Sequence, residues 1–298
     1  MLNLTLKIVA VIALLLVIAL SLALKDSPSR PAAGEAHQLE LGSRQIEYFT
    51  AGPQGGKAVV LLASYARSVA DFNELLPTLH DAGYRSIAIQ ARGIDGSSLV
   101  GLRPTLFDYA DDVRAVLDAE GVGEPVTLIG HAFGNRIARA FASRYPQKRH
   151  KLILLAAGEG APPPAVSRAI STVVFGLGTA SQRDAALHRA FFSPQNQAPD
   201  YWRSGWYPMA ALAQAYATAN TPAEQWRAAG QAAIVVIEPQ DDAAASGAGE
   251  RLQRQFPQRV KLLHLEGAGH AMLPERAERI REMIADALTD RVVFAGSH

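Results

Sequence analysis

Residues Gly130-His131-Ala132-Phe133-Gly134 join a short apolar, β-branched run (Pro125-Val126-Thr127-Leu128-Ile129) to a segment of helical composition, 135–145, with Ile137 and Phe141 at helical spacing. A buried strand, a glycine-flanked turn and a helix form the elbow of the G-x-S-x-G motif, which lifts its central side chain above a parallel sheet. The glycines are needed because the turn is strained and the helix packs close beneath it. Here the central residue is Ala132, where the motif carries a serine. A methyl group has no lone pair. The feature that most constrains the fold therefore also removes the motif's nucleophile.

The rest of the chain alternates in the same manner. Segments 37–41 and 45–50 around Gly42-Ser43 suggest an antiparallel hairpin, and 58–62 is a continuous buried-strand run. A helix with Val69, Phe72, Leu76 and Leu79 on one face follows, ended by Gly83. Strands are expected at 84–91, 126–132 and 152–155, and helices at 107–119 and 135–145. This is the α/β pattern of a mostly parallel sheet covered by helices on both faces. The rhythm breaks from Glu159 to Gly230, where only helix-like segments and prolines occur. It resumes at 234–237 and 260–263 and closes with an amphipathic helix over 274–288, with Ile280, Ile284 and Leu288 on its inner face.

The expected organisation is a core of 37–158 and 232–292, with 159–231 inserted as a helical lid. All three tryptophans, Trp202, Trp206 and Trp226, lie in the insertion. They either fix a small helical unit to the body or line an apolar pocket beneath it, Trp202 and Trp206 being the pocket candidates.

Bulk properties narrow the partners. At 298 residues and 49% hydrophobic content, the chain can bury one large core. A net charge of +1 and the lack of a basic, aromatic-rich face argue against nucleic acid. With no cysteine there is no disulfide, thiol nucleophile or cysteine metal ligand. No His/Asp/Glu cluster has ligand spacing and no P-loop or dinucleotide fingerprint occurs, so no metal or cofactor is expected. Residues 8–24 form an unbroken uncharged, mostly aliphatic run after Lys7. Its length favours a retained membrane anchor over a cleaved signal, for which Ser21-Leu22-Ala23 would be the processing site. Residues 25–36, with Pro28, Pro31 and Gly34, read as a linker. The expectation is a membrane-anchored or exported protein with its body outside the cytoplasm, although Lys7 against Lys25 and Arg30 leaves the orientation poorly determined.

From about residue 37 to the end of the last helix, the chain resembles the α/β-hydrolase fold superfamily, as a serine-less variant. The oxyanion-loop strand corresponds to Leu61-Leu62-Ala63-Ser64-Tyr65 and the arginine-glycine loop to Ala91-Arg92-Gly93-Ile94-Asp95-Gly96-Ser97. The acid turn corresponds to Ile237-Glu238-Pro239-Gln240-Asp241-Asp242 and the histidine loop to Gly267-Ala268-Gly269-His270-Ala271. The resemblance implies the order nucleophile position, acid, histidine at 132, 242 and 270. His270 would be the catalytic histidine and Asp242 its orienting acid, with Asp241 the competing choice by one position. His131 would be structural, pointing away from the pocket. The amides of Tyr65 and Phe133 would form an oxyanion hole, since backbone donors do not depend on side-chain identity. Ser64 and Tyr65 would place hydroxyls near the vacant site. The departures are Ala63-Ser64, where the family often has His-Gly, and Gln90, where it often has Asp.

Three functions follow. The first is an enzyme acting on a small apolar substrate through a His270–Asp242 base and a backbone oxyanion hole, without a serine nucleophile. The second is a non-catalytic ligand-binding protein that keeps the pocket. The third is a Ser-to-Ala form of a serine ester hydrolase, against which the further departures at Ala63, Ser64 and Gln90 argue. The substrate is not legible, because the inserted segment sets specificity and varies freely on this fold.

Overall fold

The computed structural model describes residues 25–289, apart from 28, 100, 102, 124 and 147–149. The apolar run at 8–24 lies outside the described residues; among them, no helix is long and apolar enough to cross a membrane.

Eight strands form one sheet in the order β1-β2-β4-β3-β5-β6-β7-β8. β1 (Glu35–Leu41) and β2 (Arg44–Ala51) pair antiparallel, and β2 pairs antiparallel with β4 (Tyr84–Ile89). β3 (Lys57–Leu62), β5 (Thr127–His131), β6 (Lys151–Leu155), β7 (Ala233–Pro239) and β8 (Val260–Leu265) complete the parallel part. The hairpin end buries alternate residues of β2, Ile46, Tyr48 and Thr50. The central strands are apolar on both faces because helices cover both sides. Val60, Leu128, Leu152 and Ile234 pack towards Phe141, whereas Val59, Ile129, Ile153 and Val235 pack towards Phe72, Leu79 and Ile284.

The covering helices are α1 (Leu76–Asp81), α2 (Leu106–Ala119), α3 (Phe133–Arg144), α8 (Ala248–Gln255), α9 (Met272–Glu275) and α10 (Ala277–Leu288). Between β6 and β7 the described chain carries only helices: α4 (Pro164–Val174), α5 (Ala180–Phe191), α6 (Pro208–Asn220), α7 (Ala223–Trp226) and a 3₁₀ turn at Asp200–Trp202.

Two helices differ from expectation. The segment from Val69 is a 3₁₀ helix to Leu75 and becomes α-helical only at Leu76. Pro77 stands in the first turn of α1, where its missing N–H costs nothing, but it cannot continue a ladder from the preceding turn. The closing helix is interrupted at Arg276, whose backbone (φ −134°, ψ 49°) is non-helical between α9 and α10. There the Arg276 Nε donates to the Gly267 carbonyl at 3.0 Å, tying the break to the histidine loop.

The stretch expected to be a linker is docked on the body. Ser27 and Trp206 exchange hydrogen bonds, amide to carbonyl at 3.0 Å and hydroxyl from amide at 3.0 Å. Arg30 is paired with Glu74 at 2.5 Å and lies over the Tyr201 ring, 3.7 Å from its centroid. Asn73 brackets the chain by donating to the Pro31 carbonyl and accepting from the Ala33 amide, both at 3.0 Å.

Candidate active site

The elbow is tight for a steric reason. A Cβ on Gly130 would lie 2.5 Å from the Gly134 carbonyl carbon, and one on Gly134 would run into the Leu62 carbonyl of β3. Only glycines let α3 approach the sheet this closely. The apex residue Ala132 bears the strain, with φ 48° and ψ −103°. Such a conformation costs on the order of 1–3 kcal/mol and persists only where its surroundings hold it. Those surroundings are a hydrogen bond from its amide to the Leu155 carbonyl (2.9 Å) and the Asn135 amide and side chain on its own carbonyl. Ala132 lines a cavity that it shares with His270.

The acid turn follows β7 and the histidine loop follows β8, at the carboxyl edge of the sheet where α/β folds place their sites. Both carboxylate oxygens of Asp242 lie 3.0 Å from the His270 Nδ1. The Asp242 Oδ1 also accepts the Ala244 and Ala245 amides at 2.8 and 3.0 Å. Burial opposes its ionisation, but His270 and the two amides outweigh that and hold the carboxyl below the usual carboxylate range. Asp241 is turned elsewhere, accepting the Ser193 hydroxyl at 2.7 Å. The competing acid is thereby removed from contact with the imidazole. With Nδ1–H pointed at a carboxylate, the lone pair of His270 sits on Nε2.

His131 is wholly buried and sits below His270, its Nε2 donating to the His270 carbonyl at 2.8 Å. Burial first, then the neighbouring His270, pushes its pKa down to about 4. It is therefore a neutral, Nε2-protonated brace, and it does not line the cavity.

The histidine loop is also pinned from the inserted helices. The Glu275 Oε2 accepts the Gly269 amide at 2.7 Å, while its Oε1 accepts the Ser193 amide (2.7 Å) and the Asn196 side chain (2.9 Å). The Ala271 amide donates to the Phe191 carbonyl at 2.7 Å. A Cβ on Gly269 would lie 2.7 Å from the Phe192 carbonyl carbon, so that backbone contact requires glycine. The turn after α5 is thus part of the frame that positions His270.

Ala132 and His270 open into a cavity of about 530 Å³. Tyr65 and Phe133 also line it, and Phe133, as the first residue of α3, has no intrahelical acceptor for its N–H. Three expected pocket residues are not there. Ser64 is buried (2% exposed) outside the cavity lining. Trp202 and Trp206 both pack against the guanidinium of Arg67, which lies 4.6 and 4.7 Å from their ring centroids and is paired with Asp71 at 2.7 Å. They are structural, because burying that cation demands aromatic faces and a carboxylate around it. The Tyr65 hydroxyl is likewise committed, donating to the Ala211 carbonyl at 2.9 Å. Trp226 is the tryptophan on the cavity wall, joined by Phe191 and Ile170. Among the described residues, no three His, Asp or Glu side chains converge to hold a metal ion.

A sequence profile of the alpha/beta hydrolase family matches residues 59–283, well over half of the chain. The chain belongs to this family. A 2-hydroxy-6-oxononadienedioate/2-hydroxy-6-oxononatrienedioate hydrolase of Paraburkholderia xenovorans is 37% identical over 127 residues, 41% of this chain and 43% of that protein. Epoxide hydrolase B of Mycobacterium tuberculosis is 34% identical over 97 residues, 32% of this chain and 27% of that protein. The chain thus spans less than half the length of these relatives. A thermophilic esterase from Thermogutta terrifontis shares the fold with a TM-score of 0.72 at 21% identity, over 86% of this chain and 99% of that one.

Within this alpha/beta hydrolase fold, three residues of the site carry no local signal in the sequence. Glu275 looks like a solvated charge on an amphipathic helix, and nothing local marks it as a clamp. Arg136, on α3 one turn after Ala132, lines the cavity and was indistinguishable from a surface arginine. Trp226 is not distinguished from the other two tryptophans by its sequence, since its position depends on how α7 packs on α3.

Proposed function

We propose that this protein is a hydrolase that works without a covalent acyl-enzyme, using His270 as general base and Asp242 as its orienting partner. The observation that carries the reading is the Asp242–His270 contact, 3.0 Å to both oxygens, kept beside an apex that holds no nucleophile. A binding protein would have no need of an aligned acid and a lone-pair nitrogen facing its cavity.

In the proposed reaction a water molecule in the cavity gives a proton to His270 Nε2 as its oxygen bonds to the substrate's carbonyl carbon. The carbonyl π pair moves to oxygen, and the amides of Tyr65 and Phe133 hold that oxyanion. As the tetrahedral species collapses, the bond to the leaving group breaks and the leaving group takes the proton from Nε2. Asp242 keeps the tautomer and stabilises the imidazolium between these two transfers. Oxyanion stabilisation and binding alone contribute roughly 10³–10⁴-fold when triad members are lost, so a serine-less site of this kind retains useful catalytic power. The inserted helices roof the cavity and act as the lid that selects the substrate.

The test is an activity screen of the purified protein against esters, lactones and epoxides, with His270→Ala beside it. Turnover that disappears in His270→Ala supports the reading. Absence of turnover across the panel, with a ligand retained in the cavity, favours the binding protein.

A further inference from the structure

The cavity wall carries more positive charge than the protein neutralises. Arg136 and Arg227 line it, and Arg139 lies behind them with its side chain wholly buried. Glu159 is the one carboxylate paired with this group among the described residues, and it is taken by Arg139 at 2.7 Å. Arg139 otherwise donates to the Arg227 carbonyl (2.9 Å), and its buried Nη1 has no acceptor among the described residues. Arg227 gives one hydrogen bond to the Glu159 carbonyl at 3.3 Å, and its Nε is likewise without an acceptor.

Arg136 is the most exposed to this imbalance. Its two hydrogen bonds go to neutral oxygens, the Thr218 hydroxyl at 3.1 Å and the Gly160 carbonyl at 3.0 Å. Burial first, then Arg139 and Arg227, lowers its pKa to about 10, an effect that Tyr65 and Glu159 only partly offset. A half-buried charge beside two further guanidinium groups is costly unless something of opposite sign completes it.

We propose that the cavity takes a substrate bearing a carboxylate, which Arg136 binds with Arg227 alongside while the reacting carbonyl lies over Ala132. The inference rests on the hydrolase reading for the placement of the carbonyl, but the anion site stands on the arginine cluster alone. Arg136 is four residues after Ala132, just over one turn of α3 or about 6 Å further along its axis. One ligand can therefore meet both, with its apolar middle against Phe133, Ile170 and Trp226. A guanidinium presents parallel N–H groups that suit a planar carboxylate, and the surrounding apolar wall strengthens the pairing.

Calorimetric titration tests this without requiring turnover, using phenylbutyrate and its neutral isostere phenylbutyramide on the full chain. The acid should bind at least about tenfold more tightly than the amide at low salt, and Arg136→Gln should erase the difference. Rising salt should weaken only the acid's binding in the parent protein, a readout that holds even if the variant folds poorly. Equal affinity for acid and amide in the parent protein would overturn the proposal, as would a preference for the acid that survives Arg136→Gln. A selective anion site in a protein that turns nothing over would sink the hydrolase reading alone.

Discussion

Asp242 meets the Nδ1 of His270 with both carboxylate oxygens at 3.0 Å, while its neighbour Asp241 is drawn off to the Ser193 hydroxyl. Adjacent aspartates on one turn thus serve two purposes: one orients the histidine, the other fastens the inserted helices to the acid turn. Asp242→Asn should lower kcat by about 10⁴, because the imidazole loses the partner that fixes its tautomer. Asp241→Asn, which can still accept a hydrogen bond, should cost less than about tenfold. Steady-state kinetics on the two variants separates the roles, and equal losses would refute the assignment.

Ala132→Ser should fold with stability within about 0.5 kcal/mol of the parent, since it adds one hydroxyl facing the cavity on an already strained apex. If His270 serves as its base, the new serine should react with a fluorophosphonate probe, detected as an adduct on the peptide containing residue 132. The parent protein should show no adduct there. An unlabelled Ala132→Ser variant would mean that Nε2 does not reach the apex.

Glu275 accepts three N–H donors from the histidine loop and the turn after α5. Glu275→Ala leaves these groups without their acceptor and should destabilise the protein by about 2–3 kcal/mol. Its effect on kcat should exceed that on KM, because the loop that moves carries His270. Thermal unfolding and kinetics on one preparation check both parts.

His131 gives the fold a specific sensitivity to acid. Its folded pKa of about 4 is below the unfolded value of about 6.5, so between these the unfolded chain binds more protons. The stability it contributes is present above about pH 6.5 and is lost as pH falls towards 4. Asp242 acts in the same direction at lower pH, its depressed pKa removing stability as the carboxylate is protonated. Denaturant titrations at several pH values should show a shallower loss from pH 6.5 to 4 in His131→Gln, whose amide can still donate to the His270 carbonyl. An unchanged slope would show that His131 is not the group responsible.

The parts of the site that were readable in the sequence are those whose chemistry is local. The elbow's glycines, the acid turn and the histidine loop each announce a backbone shape within a few residues, so His270 and Asp242 could be named before the fold was known. What escaped depends on long-range packing. Trp202 and Trp206 have the look of pocket walls because nothing near them reveals that the guanidinium of Arg67, far back in the chain, lies against both rings. The break at Arg276 is invisible in a segment with good helical periodicity, and it coincides with a contact to Gly267, which lies outside that helical pattern. Arg136 has the sequence signature of a solvated helix face and acquires its meaning only when Arg139, Arg227 and the cavity come together around it.

The most direct test of serine-less base catalysis is intact-mass spectrometry during turnover, with kcat/KM for the parent and His270→Ala on the same substrate. The expected result is hydrolysis with no covalent adduct at any time point, and loss of activity in His270→Ala by about 10³-fold or more. An acyl adduct on the protein, or activity that survives His270→Ala, would contradict it.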